Sequence, residues 1–273
     1  MSKDEVGIHV ERAGGVLTIT LNRPDAANSL DWQTRDALAD AFAAASGDLN
    51  VRVVVLTGSG DRAFCTGADL RTSLPRPPRP EGAPNFAQGD VARAIQNGWQ
   101  RLVTSILDCD KPVIAAVNGT AAGGGMHLAL ACDIVVMAES SKIVPVFVRR
   151  GIAPDAAGPY LLARLVGPQR AKLLYFFGDD LPAVTAYEWG LATHLVPPGE
   201  ALTTATALAE RLASGPTRAI AVTKRLVNTA LDVDRGTALA DEAWGQELVM
   251  TTEDAQEGVR AFVERRETDF KGW

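Results

Sequence analysis

Apolar and polar positions change period several times along this 273-residue chain, and each change marks an element. Ile8 to Ala13 and Val16 to Leu21 read as two strands, and Gly14-Gly15 between them makes a hairpin the simplest connection. Asn22-Arg23-Pro24-Asp25 breaks the second strand. From Trp32 to Ala45 the spacing turns helical, with Leu38 and Phe42 four apart and Ser29 or Asp31 placed to cap the start. The apolar run Val51 to Thr57 predicts a buried strand, ended by Gly58-Ser59-Gly60-Asp61. Val91 to Leu107 predicts a helix, Lys111-Pro112 ends it, and Val113 to Val117 predicts a second buried strand. Both buried strands are expected to lead through a glycine turn into a helix, an alternation that indicates an α/β architecture.

Past Val196-Pro197-Pro198-Gly199 the chain becomes a series of alanine-rich amphipathic stretches: Ala201 to Ala213, Arg218 to Leu231, Arg235 to Thr251 and Glu253 to Arg266. Leu202, Ala205, Leu208, Ala209 and Leu212 recur at helical spacing, which predicts a packing face. This divides the chain into a core over residues 1–200 and a helical region over 201–273. Between Ser73 and Asp90, five prolines exclude a helix or a central strand and predict an extended loop. That loop is either a wall over a ligand or a surface insertion.

One stretch cannot be ordinary core. In Asn118 to Asp133, the triplet Gly123-Gly124-Gly125 gives up packing and adds unfolded-state entropy, about 1 kcal/mol per glycine if it lay inside a helix. Met126 to Ala131 is a good helix-forming sequence, so the glycines fall at a helix N-terminus, where free N–H groups suit an anion or a developing oxyanion. A tight turn between closely packed elements is the alternative. Ala63 to Leu70, AFCTGADL, supplies a second glycine junction after the first buried strand.

Composition narrows the function. A 47% hydrophobic chain of this length can bury one large core. A formal net charge of -6 argues against general binding to nucleic acid or to an anionic membrane. The cysteines Cys65, Cys109 and Cys132 are odd in number and lack metal-ligand spacing, so reduced thiols in the cytoplasm are expected. No stretch approaches 18 uninterrupted apolar residues and the N-terminus has no apolar signal segment, which predicts neither membrane insertion nor export.

Leu21-Asn22-Arg23-Pro24 with Asn28, Ala63 to Leu70, Asn118-Gly119 through Gly125, Ala131-Cys132-Asp133, Gly151 to Gly158, Glu188-Trp189-Gly190-Leu191 and Leu195-Val196-Pro197 occur in a specific order. The ordered set resembles the crotonase superfamily, the enoyl-CoA hydratase/isomerase family, over almost the whole chain. The resemblance implies a β-β-α superhelical spiral with a helical C-terminal region that trimerises, and an acyl-CoA thioester as substrate. It implies a homo-oligomer, a trimer or hexamer. No metal is expected, nor any cofactor beyond the coenzyme A of the substrate. The backbone amides of Ala68 and Gly124 are expected to hold the thioester oxygen as it becomes an enolate. Arg23, Ala26, Phe64, Gly67, Asp69, Leu70, Arg71, Gly123 and Phe147 are the expected substrate contacts. Lys271 either reaches a neighbouring subunit's coenzyme A or is a solvated tail charge.

The chain departs from the family where a hydratase holds its water between two glutamates. His127 and Phe147 fill those aligned positions. The remaining carboxylate is Asp155 in GIAPDAAG, at a position where isomerases and a dehalogenase of the superfamily carry a working aspartate. Partial burial beside Phe147 would raise its pKa and make it a better base; capping the following helix is its other possible role. His127, in the first helical turn, is expected to be neutral, and either positions substrate or water or is a satisfied core residue. Isomerisation by an Asp155 proton shuttle is therefore preferred. Hydration with His127 and Asp155 sharing a water is the alternative, and a non-catalytic CoA-thioester binding protein is a third reading.

Overall fold

The computed structural model describes residues 6–72, 79–84 and 87–273. Residues 73–78 and 85–86 of the proline-rich segment, expected either as a wall over a ligand or as a surface insertion, lie outside them, as do residues 1–5. Strands β1 (Ile8–Ala13) and β2 (Val16–Leu21) form the expected antiparallel hairpin, with Gly14 at φ 56 in its turn. Helix α1 (Trp32–Gly47) starts at Asp31, whose carboxylate accepts from Thr34 N at 2.8 Å. Of the two possible caps it is Asp31 that acts.

The rest of the core is built by repetition. Strand β3 (Val53–Gly58) turns into β4 (Ala63–Cys65), β5 (Val113–Val117) into β6 (Thr120–Ala122), and β7 (Ile134–Ala138) into β8 (Lys142–Val144). The first member of each pair joins a six-stranded sheet in the order β1-β2-β3-β5-β7-β10, with β10 at His194–Val196. The second joins a four-stranded sheet in the order β4-β6-β8-β9, with β9 at Leu181–Pro182. Two strands and then a helical segment per turn is the β-β-α spiral expected from the resemblance.

One local expectation fails. Ala63 to Leu70 does not lead straight into a helix: β4 is followed by a loop in which Ala68 makes a single parallel bridge to Leu30. The helical segment expected over 91–107 comes later and in three pieces, α2 (Asp90–Ile95), a π-turn (Gln96–Gln100) and α3 (Arg101–Leu107). The wide turn contains Gly98, where a Cβ would stand 2.3 Å from Nη1 of the buried Arg35, so the backbone there is pressed against the guanidinium.

Alternation along the buried strands decides which helices cover which face. Val54, Leu56, Val113, Ala115 and Val117 face the core shared with α1 and α3. Val53, Val55, Ile114, Ala116 and Val136 face the other way, onto α7 (Ala201–Ala213). Ala201, Ala205 and Ala209 are the helix's buried positions, and their small side chains let it lie close on the sheet. Beyond it run α8 (Thr217–Thr229), α9 (Arg235–Met250) and α10 (Glu253–Glu264).

A buried lysine ties this helical region to the spiral. Lys224 Nζ on α8 donates to Ile106 O at 2.8 Å and Lys111 O at 3.2 Å, and meets Asp133 Oδ2 at 2.9 Å. Lys224→Ala leaves Asp133 and two carbonyls without that cation and is expected to cost about 3 kcal/mol, because breaking a buried pair strands the partner charge. Urea unfolding measures it, and an unchanged midpoint would mean that water replaces the ammonium without loss.

Candidate active site

The two glycine junctions meet. Helix α4 (Gly124–Ala131) begins after Gly123, at φ 53, and a Cβ on Gly125 would fall 2.1 Å from Cys65 O at the end of β4. Gly67, at φ 88, lies so close that its Cβ would be 3.0 Å from Gly124 N. Bare backbone is needed because β4, its exit loop and the start of α4 touch. The N–H of Gly124, at the first position of α4, has no partner within the helix. Around Ala68, Leu30 N donates to Gly67 O at 2.8 Å and Asp69 N to Leu30 O at 2.9 Å. The Ala68 amide between them therefore points away from Leu30.

Asparagines hold this arrangement from outside. Asn28 Nδ2 donates to Ala63 O at 2.8 Å and Ser59 O at 3.0 Å, while its Oδ1 accepts from Arg23 N at 3.0 Å. Asn118 Nδ2 donates to Gly58 O at 2.9 Å. Trp99, from the π-turn, covers Gly124, where a Cβ would be 2.6 Å from the indole ring.

The charged residues expected to contact substrate form their own network. Asp69 is buried and lies between Arg23 Nη2 at 3.0 Å and Arg71 Nε at 2.8 Å, and these bonds hold its carboxyl well below the usual range. Arg23 also meets Asp31 at 3.3 Å. Ala26 closes the short 3-10 turn Pro24–Ala26 at the foot of this network, and Ala68, Leu70 and Arg71 are exposed beside it. Two expected contacts stand elsewhere. The Phe64 side chain is fully buried in the core, because β4 points it inward, so it presents only its main chain. Lys271 pairs with Asp269 at 2.7 Å, next to Phe270, whose carbonyl binds Arg52 ahead of β3. That is the opposite end of the strand from the glycine turn, so Lys271 does not serve the site of its own chain.

His127 lies one turn into α4 and is completely buried. Its ring stacks on Phe147 at 5.1 Å and 7°, Nε2 lies 2.9 Å from Tyr175 Oη, and Tyr175 meets both rings edge-on. Burial pulls its pKa down to about 3, against an upward pull from the Asp155 main chain. The imidazole is neutral as expected, and burial is the main cause. Covered by Phe147, and with Gly158 so close that a Cβ would lie 2.0 Å from Nε2, the ring does not reach a substrate or a water directly. Of the roles open to His127, positioning a substrate or water or filling the core, its complete burial fits the second.

Asp155 stands beside this aromatic group on the loop before α5 (Gly158–Phe177). It is partly buried, and desolvation raises its pKa above the ordinary 3.8, the expected direction. The expected capping role fails. The cap position is Ala157, with no side-chain hydrogen bond, and the helix entry is closed by main chain, Gly158 N donating to Asp155 O at 2.8 Å. Ala156 and Ala157 take left-handed φ values of 48 and 55, which turns the chain sharply and leaves the carboxylate outside the helix end. An apolar groove of about 480 Å³ adjoins, lined by Ile152, Pro154, Ala163, Tyr175 and Phe176 among others. Sequence reading missed Tyr175, since twenty residues beyond Asp155 it reads as one more apolar position of a helix.

A two-sheet β-β-α spiral whose glycine turns converge on the start of one helix is the arrangement of a crotonase-type protein. The enoyl-CoA hydratase/isomerase model matches residues 11–273. A 1,2-epoxyphenylacetyl-CoA isomerase of Escherichia coli is 38% identical over 264 residues, 97% of each chain. A probable enoyl-CoA hydratase of Rhodobacter capsulatus is 38% identical over 266 residues, covering 97% of this chain and 98% of that one. The crystal structure of an enoyl-CoA hydratase from Bacillus anthracis superposes with a TM-score of 0.87 at 35% identity, over 98% of this chain and 100% of that one. The chain belongs to the enoyl-CoA hydratase/isomerase family, enzymes that act on acyl-CoA thioesters. Among the described residues no helix is long and apolar enough to cross a membrane.

Proposed function

We propose that the enzyme moves a proton within an acyl-CoA, with Asp155 as the base and isomerisation as the reaction. The supporting observation is that Asp155 is a half-buried carboxylate of raised pKa whose main chain meets the His127 ring stacked on Phe147, the two residues that the resemblance aligns with the hydratase glutamates. In this reading the thioester oxygen lies between the Ala68 and Gly124 amides. Asp155 removes the proton from the carbon next to the carbonyl, the amides hold the enolate, and the protonated carboxyl returns the proton further along the chain. Similarity to an isomerase fits this, while similarity to a probable hydratase favours water addition as the second reading. Incubation with crotonyl-CoA and with a 3-enoyl-CoA separates them. Double-bond migration is expected, and rapid hydration without migration overturns the proposal.

The chain works as a soluble cytoplasmic homo-oligomer, a trimer or hexamer, with no cofactor beyond the substrate's coenzyme A. Support comes from α9 and α10, which expose Trp244 at 70% and Phe262 at 85%.

The base assignment fixes a pH dependence. Burial raises the Asp155 pKa, and the reactive form is the carboxylate, so kcat/KM is expected to fall as pH drops through a value above 3.8. No limb is expected near 6.5, because His127 stays neutral down to about 3. A pH profile from about 4 to 9 checks both signs, and a limb near 6.5 that vanishes in His127→Gln would show that the imidazole titrates.

A further inference from the structure

The His127 and Tyr175 pair has a direction. Nδ1 of His127 is buried without a hydrogen-bond partner, while the polar groups that meet the ring are the Tyr175 hydroxyl at Nε2 and the Asp155 main chain. A buried N–H without an acceptor is rarer and costlier than an unmet lone pair, so the proton of the neutral ring belongs on Nε2. A protonated Nε2 cannot accept, so in this tautomer the Tyr175 oxygen is the acceptor of that contact. Its own hydrogen is left to point elsewhere. Tyr175 is partly exposed and lines the apolar groove with Pro154, the residue before Asp155.

We propose that Tyr175 is a specificity-determining residue of the acyl site: held by His127, its hydroxyl donates a hydrogen bond to an oxygen atom on the acyl group, beyond the thioester. This rests on the acyl-CoA reading of the site. The Tyr175 hydroxyl meets His127 from α4 at 2.9 Å, and the charge of Asp155, on the loop before α5, acts on it. Burial and the Asp155 charge push its pKa up, so it remains a donor while the carboxylate works as base. No proton leaves the tyrosine, and no bond to it forms or breaks. The surrounding groove, with Ile152, Ala163 and Phe176, offers the rest of the acyl group apolar contact.

The test compares a 3-hydroxyacyl-CoA with the saturated acyl-CoA of the same length, in wild type and in Tyr175→Phe, which removes one oxygen. Wild type is expected to bind the hydroxylated compound about tenfold more tightly, and the variant to lose that preference while its affinity for the saturated compound stays within about twofold. The measurement is repeated in Asp155→Asn, where binding is read without turnover. A preference that survives there stands even if Asp155 proves not to be the base. Failure of both compounds to bind wild type would overturn the acyl-CoA reading itself. Equal affinity of wild type for the two compounds, or a variant that weakens both equally, overturns the role of Tyr175. If Tyr175→Phe does not fold, His127→Phe, which removes the Nε2 donor and keeps a ring on Phe147, must lower the preference instead; an unchanged preference there rejects the proposal.

Discussion

Asp155→Asn is expected to lower exchange of the α-proton of an acyl-CoA for deuterium by about 10²- to 10⁴-fold, the range a positioned general base supplies. The fold should be indifferent to the change. The carboxylate makes no cap to α5, the helix entry is closed by main chain, and Ala156 and Ala157 set the turn. A loss of exchange with an unchanged circular dichroism spectrum therefore reports chemistry. Burial works in the same direction: raising the carboxyl's pKa strengthens it as a base, whereas the Asp69 carboxyl, clamped by Arg23 and Arg71, is a weak one. Exchange at the wild-type rate in the variant would remove Asp155 from the mechanism.

The second large effect is expected at Ala68. Replacing it by proline removes one amide donor and should reduce kcat by about 10²- to 10³-fold, the cost of deleting one member of a donor pair. The residue is exposed, and its neighbours Gly67 and Asp69 carry the hydrogen bonds to Leu30, so the loop keeps its anchor. Ala68→Val keeps the amide and should keep most of the rate. Gly124 is a poorer place for the same test, since any side chain there drives into Trp99 at 2.6 Å. Turnover together with circular dichroism decides it, and a folded Ala68→Pro enzyme with the full rate would show that the amide holds nothing in the transition state.

Much of this site was open to sequence reading for a specific reason. The cost of three consecutive glycines requires close backbone approach, and the structure shows it at Cys65 O and between Gly67 and Gly124 N. Strand and helix periods placed the hairpin, β3, β5, α1 and the C-terminal helices, because burial on one face leaves its repeat in the chain. Set against the family that the chain resembles, His127 and Phe147 stand where hydratases carry glutamates, and that comparison set Asp155 apart as the carboxylate to examine.

Other features belong to the tertiary structure. Local rules made Asp155 a helix cap and let AFCTGADL run into a helix. In the fold the main chain closes the start of α5, and β4 pairs in a second sheet before the chain loops out. Nothing in the run KLLYFFG marks Tyr175, since its partner His127 is 48 residues away and the two meet only because α5 packs across α4. Sequence by itself determined most of the elements and the need for close backbone approach at the glycines, which follow from local periodicity and backbone sterics, while the joining of the two turns into one site and the choice of Asp155 came from the resemblance to the family. Which side chains meet, and hence that His127 is sealed behind Phe147 while Tyr175 reaches its ring and lines a groove with Pro154, was decided by packing between elements far apart in the chain.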